Sequence, residues 1–256
     1  MKRTKIVATI GPATSSYEML KEIIQEGVDV IRLNFSHGSH EDHQKVIEHV
    51  RRINSETNYN IALLADLQGP KLRTDDMTDN RVELIDGQEV IITTKKVLGT
   101  AKKFSTNYQS FAQDVNAGEE VRLDDGKLHL LVKETNNKDE VKCEVIHGGI
   151  LSSKKGINLP NTNISLPCLT EKDLKDLHFA LDQDVDWIGL SFVRSARDII
   201  ELKHIIKERE KHALVIAKIE KPEALDEIDD IILETDALMV ARGDLGVEIP
   251  MQNVPL

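Results

Sequence analysis

Residues 214–220 read LVIAKIE, four apolar residues followed by Lys218 and Glu220 with one isoleucine between them. Side chains alternate across a strand, so Lys218 and Glu220 share a face. A nearly continuous apolar run bounded by polar residues suits a parallel strand covered on both faces. Five more runs share this texture: KIVATIG (5–11), DVIRLNFS (29–36), NIALLADL (60–67), DWIGLSF (186–192) and ALMVARGDL (237–245). Several end in polar residues: Asn34 and Ser36, Asp66, Ser191, and Arg242 with Asp244.

Helical patterns separate these runs. SSYEMLKEIIQEG starts with Ser and ends with Gly, a plausible pair of caps. In SHEDHQKVIEHVRRINSE, Val46, Ile47, Val50 and Ile53 form one apolar stripe, and His40 and His43 read as solvated helix residues. TEKDLKDLHFALDQ has Thr170 and Asp173 at capping-box spacing. SARDIIELKHIIKERE and PEALDEIDDIILET complete the set, with Pro222 at the start of the last.

This β-α-β-α order is interrupted once. From Lys71 to Pro167 the texture becomes alternating strands with hairpin turns, such as DDG (124–126) and NNKDE (136–140). Right-handed βα units in series form an open sheet or a (β/α)8 barrel. Polar residues at the ends of many strands favour the barrel, whose active sites draw on several strand ends; an open sheet concentrates them at one switch point. The expected fold is therefore α/β, a TIM-type barrel with an inserted small all-β domain. Residues 1–70 form its first part, 71–167 the insert and 168–256 the continuation. Only six strand candidates occur before the final MQNVPL, so the barrel is expected to be incomplete.

Composition narrows the function classes. A formal net charge of -11 argues against nucleic-acid and membrane-surface partners, which meet basic faces. No run approaches the roughly 18 apolar residues of a membrane span. Two distant cysteines, Cys143 and Cys168, fit buried thiols in a reducing, cytoplasmic setting.

The strand-end residues suggest chemistry. Glu220 and Asp244 are carboxylates of the kind that bind Mg²⁺, and Gly243 permits close backbone approach. Lys218 is placed to meet a transferred anion; a plain Lys218–Glu220 ion pair is the alternative. Arg32, in phase with Asn34 and Ser36, requires either an anionic ligand or a buried acid.

TIGPAT (9–14), IRLNFSHG (31–38), DLQGPKLRT (66–74), KKGINLP (154–160), GLSFVR (189–194), AKIEKPEA (217–224) and VARGDLGVE (240–248) occur in the order found in the pyruvate kinase family. The chain resembles the N-terminal part of a bacterial member along its whole length. The resemblance implies phosphoryl transfer from phosphoenolpyruvate to ADP, giving pyruvate and ATP in glycolysis. It implies that Arg32 holds the phosphate and that Lys218 neutralises the group in transfer. Glu220 and Asp244 would bind Mg²⁺ or Mn²⁺, with Ala241, Arg242, Gly243 and Asp244 toward the substrate. Thr9, Pro12, Asn34, His37, Arg73 and Lys155 would serve the nucleotide, and Asp125 would belong to a closing lid. It also implies a homotetramer at full length, and inactivity or near-inactivity for these residues alone.

The monovalent-ion positions of the family fall at Asn34, Ser36, Asp66 and Leu67. Leu67 replaces the usual Thr, and Gln68 and Lys71 stand where K⁺-dependent members have Lys and Glu. The expectation is independence from K⁺, with the Lys71 ammonium replacing the ion's charge. Two rival readings are a Mg²⁺-dependent aldolase or lyase acting on pyruvate and a non-catalytic truncated subunit.

Overall fold

The computed structural model describes residues 3–255. Its chain divides into two compact units. The first contains the chain up to Pro70, Cys168–Ile219 and Glu223–Val240. The second contains Lys71–Pro167, Glu220–Pro222 and the chain from Ala241 on.

The first unit begins with β1 (Val7–Thr9), α1 (Tyr17–Gln25), β2 (Val30–Asn34), α2 (His40–Glu56) and β3 (Ala62–Asp66). Ser16 caps α1 by accepting from the Met19 amide, and Ser39 with Asp42 closes a capping box on α2. The four residues of the apolar stripe in α2, Val46, Ile47, Val50 and Ile53, are all buried. Fully burying such side chains is worth about 1.5–3 kcal/mol each, so the stripe fixes which face of α2 meets the sheet.

The second unit follows, with β4 (Arg81–Leu84), β5 (Glu89–Thr93), β6 (Lys103–Ser105), the one-turn α3 (Phe111–Asp114), β7 (Glu120–Leu123), β8 (Leu128–Thr135), β9 (Glu140–His147), β10 (Gly149–Ser152) and β11 (Ile157–Asn158). Six strands lie in the order β11-β7-β8-β9-β5-β6, mostly antiparallel, and β4 pairs with β10. Both expected hairpins form. Asp124, Asp125 and Gly126 turn β7 into β8 at φ 50°, 57° and 81°, and Asn136 Oδ1 accepts amides from residues 138–140 between β8 and β9. Ile92, Phe104, Phe111, Val121, Leu130 and Cys143 are among the core residues. Burial pushes the Cys143 thiol up to about 12, as befits a small buried hydrophobe.

The chain returns to the first unit through α4 (Glu171–Asp182), β12 (Trp187–Leu190), α5 (Ala196–Glu208), β13 (Leu214–Ile219), α6 (Glu223–Asp226), α7 (Ile228–Glu234) and β14 (Ala237–Val240). Its sheet is parallel throughout, in the order β1-β2-β3-β12-β13-β14. This is the expected α/β architecture: a partial TIM-type barrel of six strands, with a separate β-rich region inserted after β3.

Three local readings change. PEALDEIDDIILET forms two short helices, because Glu227 (φ -103°, ψ 14°) leaves helical geometry between them. The acids Asp226, Asp229 and Asp230 repel at helical spacing, which weakens a single continuous helix. The last strand stops at Val240, and ARGDLGVE supplies α8 (Arg242–Glu248), whose Leu245 amide donates to the Ala241 carbonyl at 2.9 Å. Finally, His40 and His43 are half-buried. His40 stacks on Phe179 at 4.3 Å and lies 2.7 Å from Asp176 Oδ1, while His43 packs on Phe35 at 4.4 Å.

Candidate active site

In the first unit, strand register gathers the polar strand ends. Asn34 pairs with Asp66 across β2 and β3, and Gly189 pairs with Asp66 across β12 and β3. Asp66 is 2% exposed and is met by two cations. Arg32 donates from Nε to Asp66 Oδ2 at 2.7 Å and reaches the same oxygen through Nη2; Nη1 donates to Thr9 Oγ1 at 2.6 Å. Lys218 Nζ stands 3.2 Å from Asp66 Oδ1 and donates to Ser191 Oγ at 2.7 Å. Ser191 Oγ donates onward to the Leu67 carbonyl at 2.7 Å. Arg32 thus has the buried acid that the sequence left open as an alternative to an anionic ligand.

Two glycines make this packing possible. A Cβ on Gly189 would sit 3.0 Å from Asp66 Oδ1, so only glycine leaves the carboxylate its full space. Gly69 has φ +70°, and a Cβ there would meet Phe192 Cδ2 at 2.7 Å. Its amide donates to the buried Asp173 Oδ1 at 3.0 Å, pinning the turn that leaves β3 to the first turn of α4.

A cavity of about 790 Å³ opens in the same unit. Thr9, Pro12, Asn34 and His37, four of the nucleotide-side positions, line it together with His43, Lys45 and His49. Asn34 Oδ1 accepts the Ser36 amide at 3.0 Å, and His43 Nε2 lies 3.0 Å from the His37 carbonyl. Burial lowers the His43 pKa below its ordinary value, and the His37 carbonyl only partly offsets that effect. Of the monovalent-ion positions, Ser36 is half-buried and Leu67 is buried and apolar.

The remaining candidates lie in the second unit. Arg73 bridges to Gly156, and its Nη1 donates to the Lys154 carbonyl at 3.0 Å, so Arg73 and Lys155 occupy neighbouring segments. Lys155 Nζ is 2.8 Å from Asp124 Oδ1; hydrogen bonding to that carboxylate raises the lysine's pKa, and the same bond lowers that of Asp124. Asp125 occupies the tight β7–β8 turn, and Lys71 is exposed. Glu220 is buried, whereas Arg242, Gly243 and Asp244 are exposed in the first turn of α8. Among the described residues, no group of three or more His, Cys, Asp or Glu is arranged to hold a metal. A two-carboxylate set still suits Mg²⁺, which keeps several waters and binds protein through one or two carboxylates.

Sequence reasoning gave no role to Lys221, Glu248 or Asn158, which are joined by hydrogen bonds; Lys221 directly follows Glu220 in sequence and Glu248 comes one helical turn after Asp244. The lysine directly after KIE was their one legible signal. No helix among the described residues is long and apolar enough to cross a membrane.

A parallel sheet that gathers two cations, an acid and a hydroxyl at its strand ends matches the rim on which (β/α)-barrel proteins build their sites. A sequence profile described as pyruvate kinase, barrel domain, matches residues 1–256. A protein of Staphylococcus epidermidis (strain ATCC 35984) named pyruvate kinase is 46% identical over 257 residues, covering 100% of this chain and 44% of the relative. Pyruvate kinases of Staphylococcus aureus strains MRSA252 and USA300 match with the same identity and coverage. The chain belongs to the pyruvate kinase family, and it spans 44% of the length of these relatives.

Proposed function

We propose that the chain carries phosphoryl-transfer residues of a kinase that moves the phosphoryl group of phosphoenolpyruvate to ADP, yielding pyruvate and ATP. The observation that carries this reading is the convergence of Arg32 and Lys218 on one buried carboxylate. Two cations meet one buried carboxylate there, in a setting where charge is weakly screened. A guanidinium has five N–H donors. The contacts to Asp66 and Thr9 use three of them, leaving donors for phosphate oxygens.

Phosphoryl transfer asks a protein chiefly for alignment and neutralisation of charge. Arg32, fixed on two sides, holds the phosphate of the donor. Lys218, fixed by Ser191 and Asp66, faces the charge that develops on the group in transfer. Thr9, Pro12, Asn34 and His37 receive part of the nucleotide in the cavity they line; for Arg73 and Lys155 a nucleotide role rests on the family resemblance. Glu220 and Asp244 hold a divalent ion, Mg²⁺ or Mn²⁺, with Gly243 beside the substrate. When bound, that ion supplies Lewis-acid stabilisation of substrate oxygens.

We assign no K⁺ requirement to this site. Leu67 offers no side-chain oxygen, its carbonyl accepts Ser191, and Asn34 Oδ1 accepts the Ser36 amide. Lys71, exposed in the second unit, is the residue that the family resemblance puts forward as the substitute for the ion's charge. Activity that rises manyfold when tetramethylammonium is exchanged for K⁺ would refute this assignment.

The test is ATP formation from phosphoenolpyruvate and ADP, measured on the 256-residue chain and on a version extended to the length of its relatives. Lys218→Met should lower turnover of the active form by at least about 10², the scale for losing one electrostatic donor. Turnover near wild type in that variant would remove Lys218 from the mechanism.

A further inference from the structure

Two segments that follow strands of the first unit, Glu220–Pro222 after β13 and the chain from Ala241 after β14, belong to the second unit. There, Lys221 Nζ lies 3.0 Å from Glu248 Oε2, with the two side chains 4% and 3% exposed. The same ammonium donates to the Leu159 carbonyl at 3.3 Å, and Asn158 Nδ2 donates to Glu248 Oε1 at 2.8 Å. Both carboxylate oxygens are therefore engaged. Arg122 adds a bond to the Val247 carbonyl, one residue earlier on α8.

A buried ion pair is a poor device for stability, since apolar side chains of similar volume commonly do as well or better. Its better-attested use is to select one arrangement among several. Here Lys221 directly follows Glu220, and Glu248 lies one helical turn beyond Asp244 on α8. We infer that Lys221, Glu248 and Asn158 form a latch that positions Glu220 and Asp244 for a divalent cation and ties both to β11. The inference rests on the reading of Glu220 and Asp244 as divalent-ion ligands. The three latch residues are positioning residues: their atoms satisfy one another, and the acids on either side receive the benefit. A role in stability alone would tie metal affinity to folding, whereas a positioning role separates the two.

The experiment titrates Mn²⁺ alone into the 256-residue chain, with free Mn²⁺ read by electron paramagnetic resonance, and follows urea unfolding in parallel. Lys221→Met combined with Glu248→Gln removes both charges while keeping an acceptor for Asn158. The double variant should keep its unfolding midpoint and weaken Mn²⁺ binding by about 10-fold, the lower scale for residues that orient metal ligands. Asn158→Ala should give a smaller loss in the same direction, and it carries the test if the double variant does not fold. Folded latch variants with wild-type Mn²⁺ affinity would overturn the latch. A Glu220→Gln variant that binds Mn²⁺ as wild type does would instead overturn the ligand assignment and the latch with it. So would a wild-type chain that binds no Mn²⁺.

Discussion

Asp66→Asn keeps the shape of the side chain at the centre of the proposed site and deletes its charge. Arg32 and Lys218 then face a neutral amide, one of whose ends is itself a donor. Removing one partner from a buried ion pair costs about 3–5 kcal/mol. Asp66 is almost inaccessible, but the Arg32 and Lys218 side chains keep 23% and 11% of their exposure. Water can therefore recover part of their solvation, which places the cost near the lower end, at about 3 kcal/mol. The single tryptophan, Trp187, lies in β12 opposite Leu64 of β3, so its fluorescence reports unfolding of this sheet. With a urea slope of about 2 kcal/mol/M, the midpoint should fall by about 1.5 M. Adding Lys218→Met to Asp66→Asn should return part of that loss, because one of the two cations that face the neutral amide is gone. A midpoint shift below about 0.3 M, within the usual scatter of surface substitutions, would refute the coupling of these three charges.

Ser191→Ala removes one acceptor of Lys218 and the donor to the Leu67 carbonyl; turnover of the extended version should fall by about 10-fold, the scale of one hydrogen bond to a charged group, and unchanged turnover would exclude Ser191 as a positioning residue. Gly69→Ala combines a positive φ with a 2.7 Å approach to Phe192, so its urea midpoint should drop by at least about 0.5 M, from about 1–3 kcal/mol of strain. His43 has a folded pKa below its ordinary value of 6.5 because burial disfavours the imidazolium. Between those two values the unfolded chain binds more protons, so stability should rise as pH rises through the window and level off above it. His43→Gln should flatten that part of the stability profile, and an unchanged profile would remove His43 as its source.

The alternation of apolar runs and amphipathic helices was legible because parallel strands covered on both faces leave continuous apolar sequence. The capping pairs Ser39–Asp42 and Thr170–Asp173 mark two helix starts through local hydrogen bonds, which explains why the Thr170–Asp173 spacing could be read directly. What lay outside the sequence was which strand end meets which. Asp66 follows an apolar run and gives no sign that it is shared by Arg32 from β2 and Lys218 from β13. Gly189 matters through the space it leaves for that carboxylate, a property of strand register rather than composition. ARGDLGVE reads as the tail of a strand because its first residues continue an apolar run, yet an acid in the first turn and local backbone bonds make it a helix. His40 and His43 occupy positions that helical periodicity leaves polar, and their aromatic partners Phe35 and Phe179 come from other elements.

The most direct measurement is a crystal structure of the chain soaked with phosphoenolpyruvate, with the phosphorus position read from difference density. The expected result is phosphate oxygens within hydrogen-bonding distance of both Arg32 and Lys218, while both side chains keep their contacts to Asp66. Phosphate bound elsewhere, with either cation turned away from it, would contradict the account.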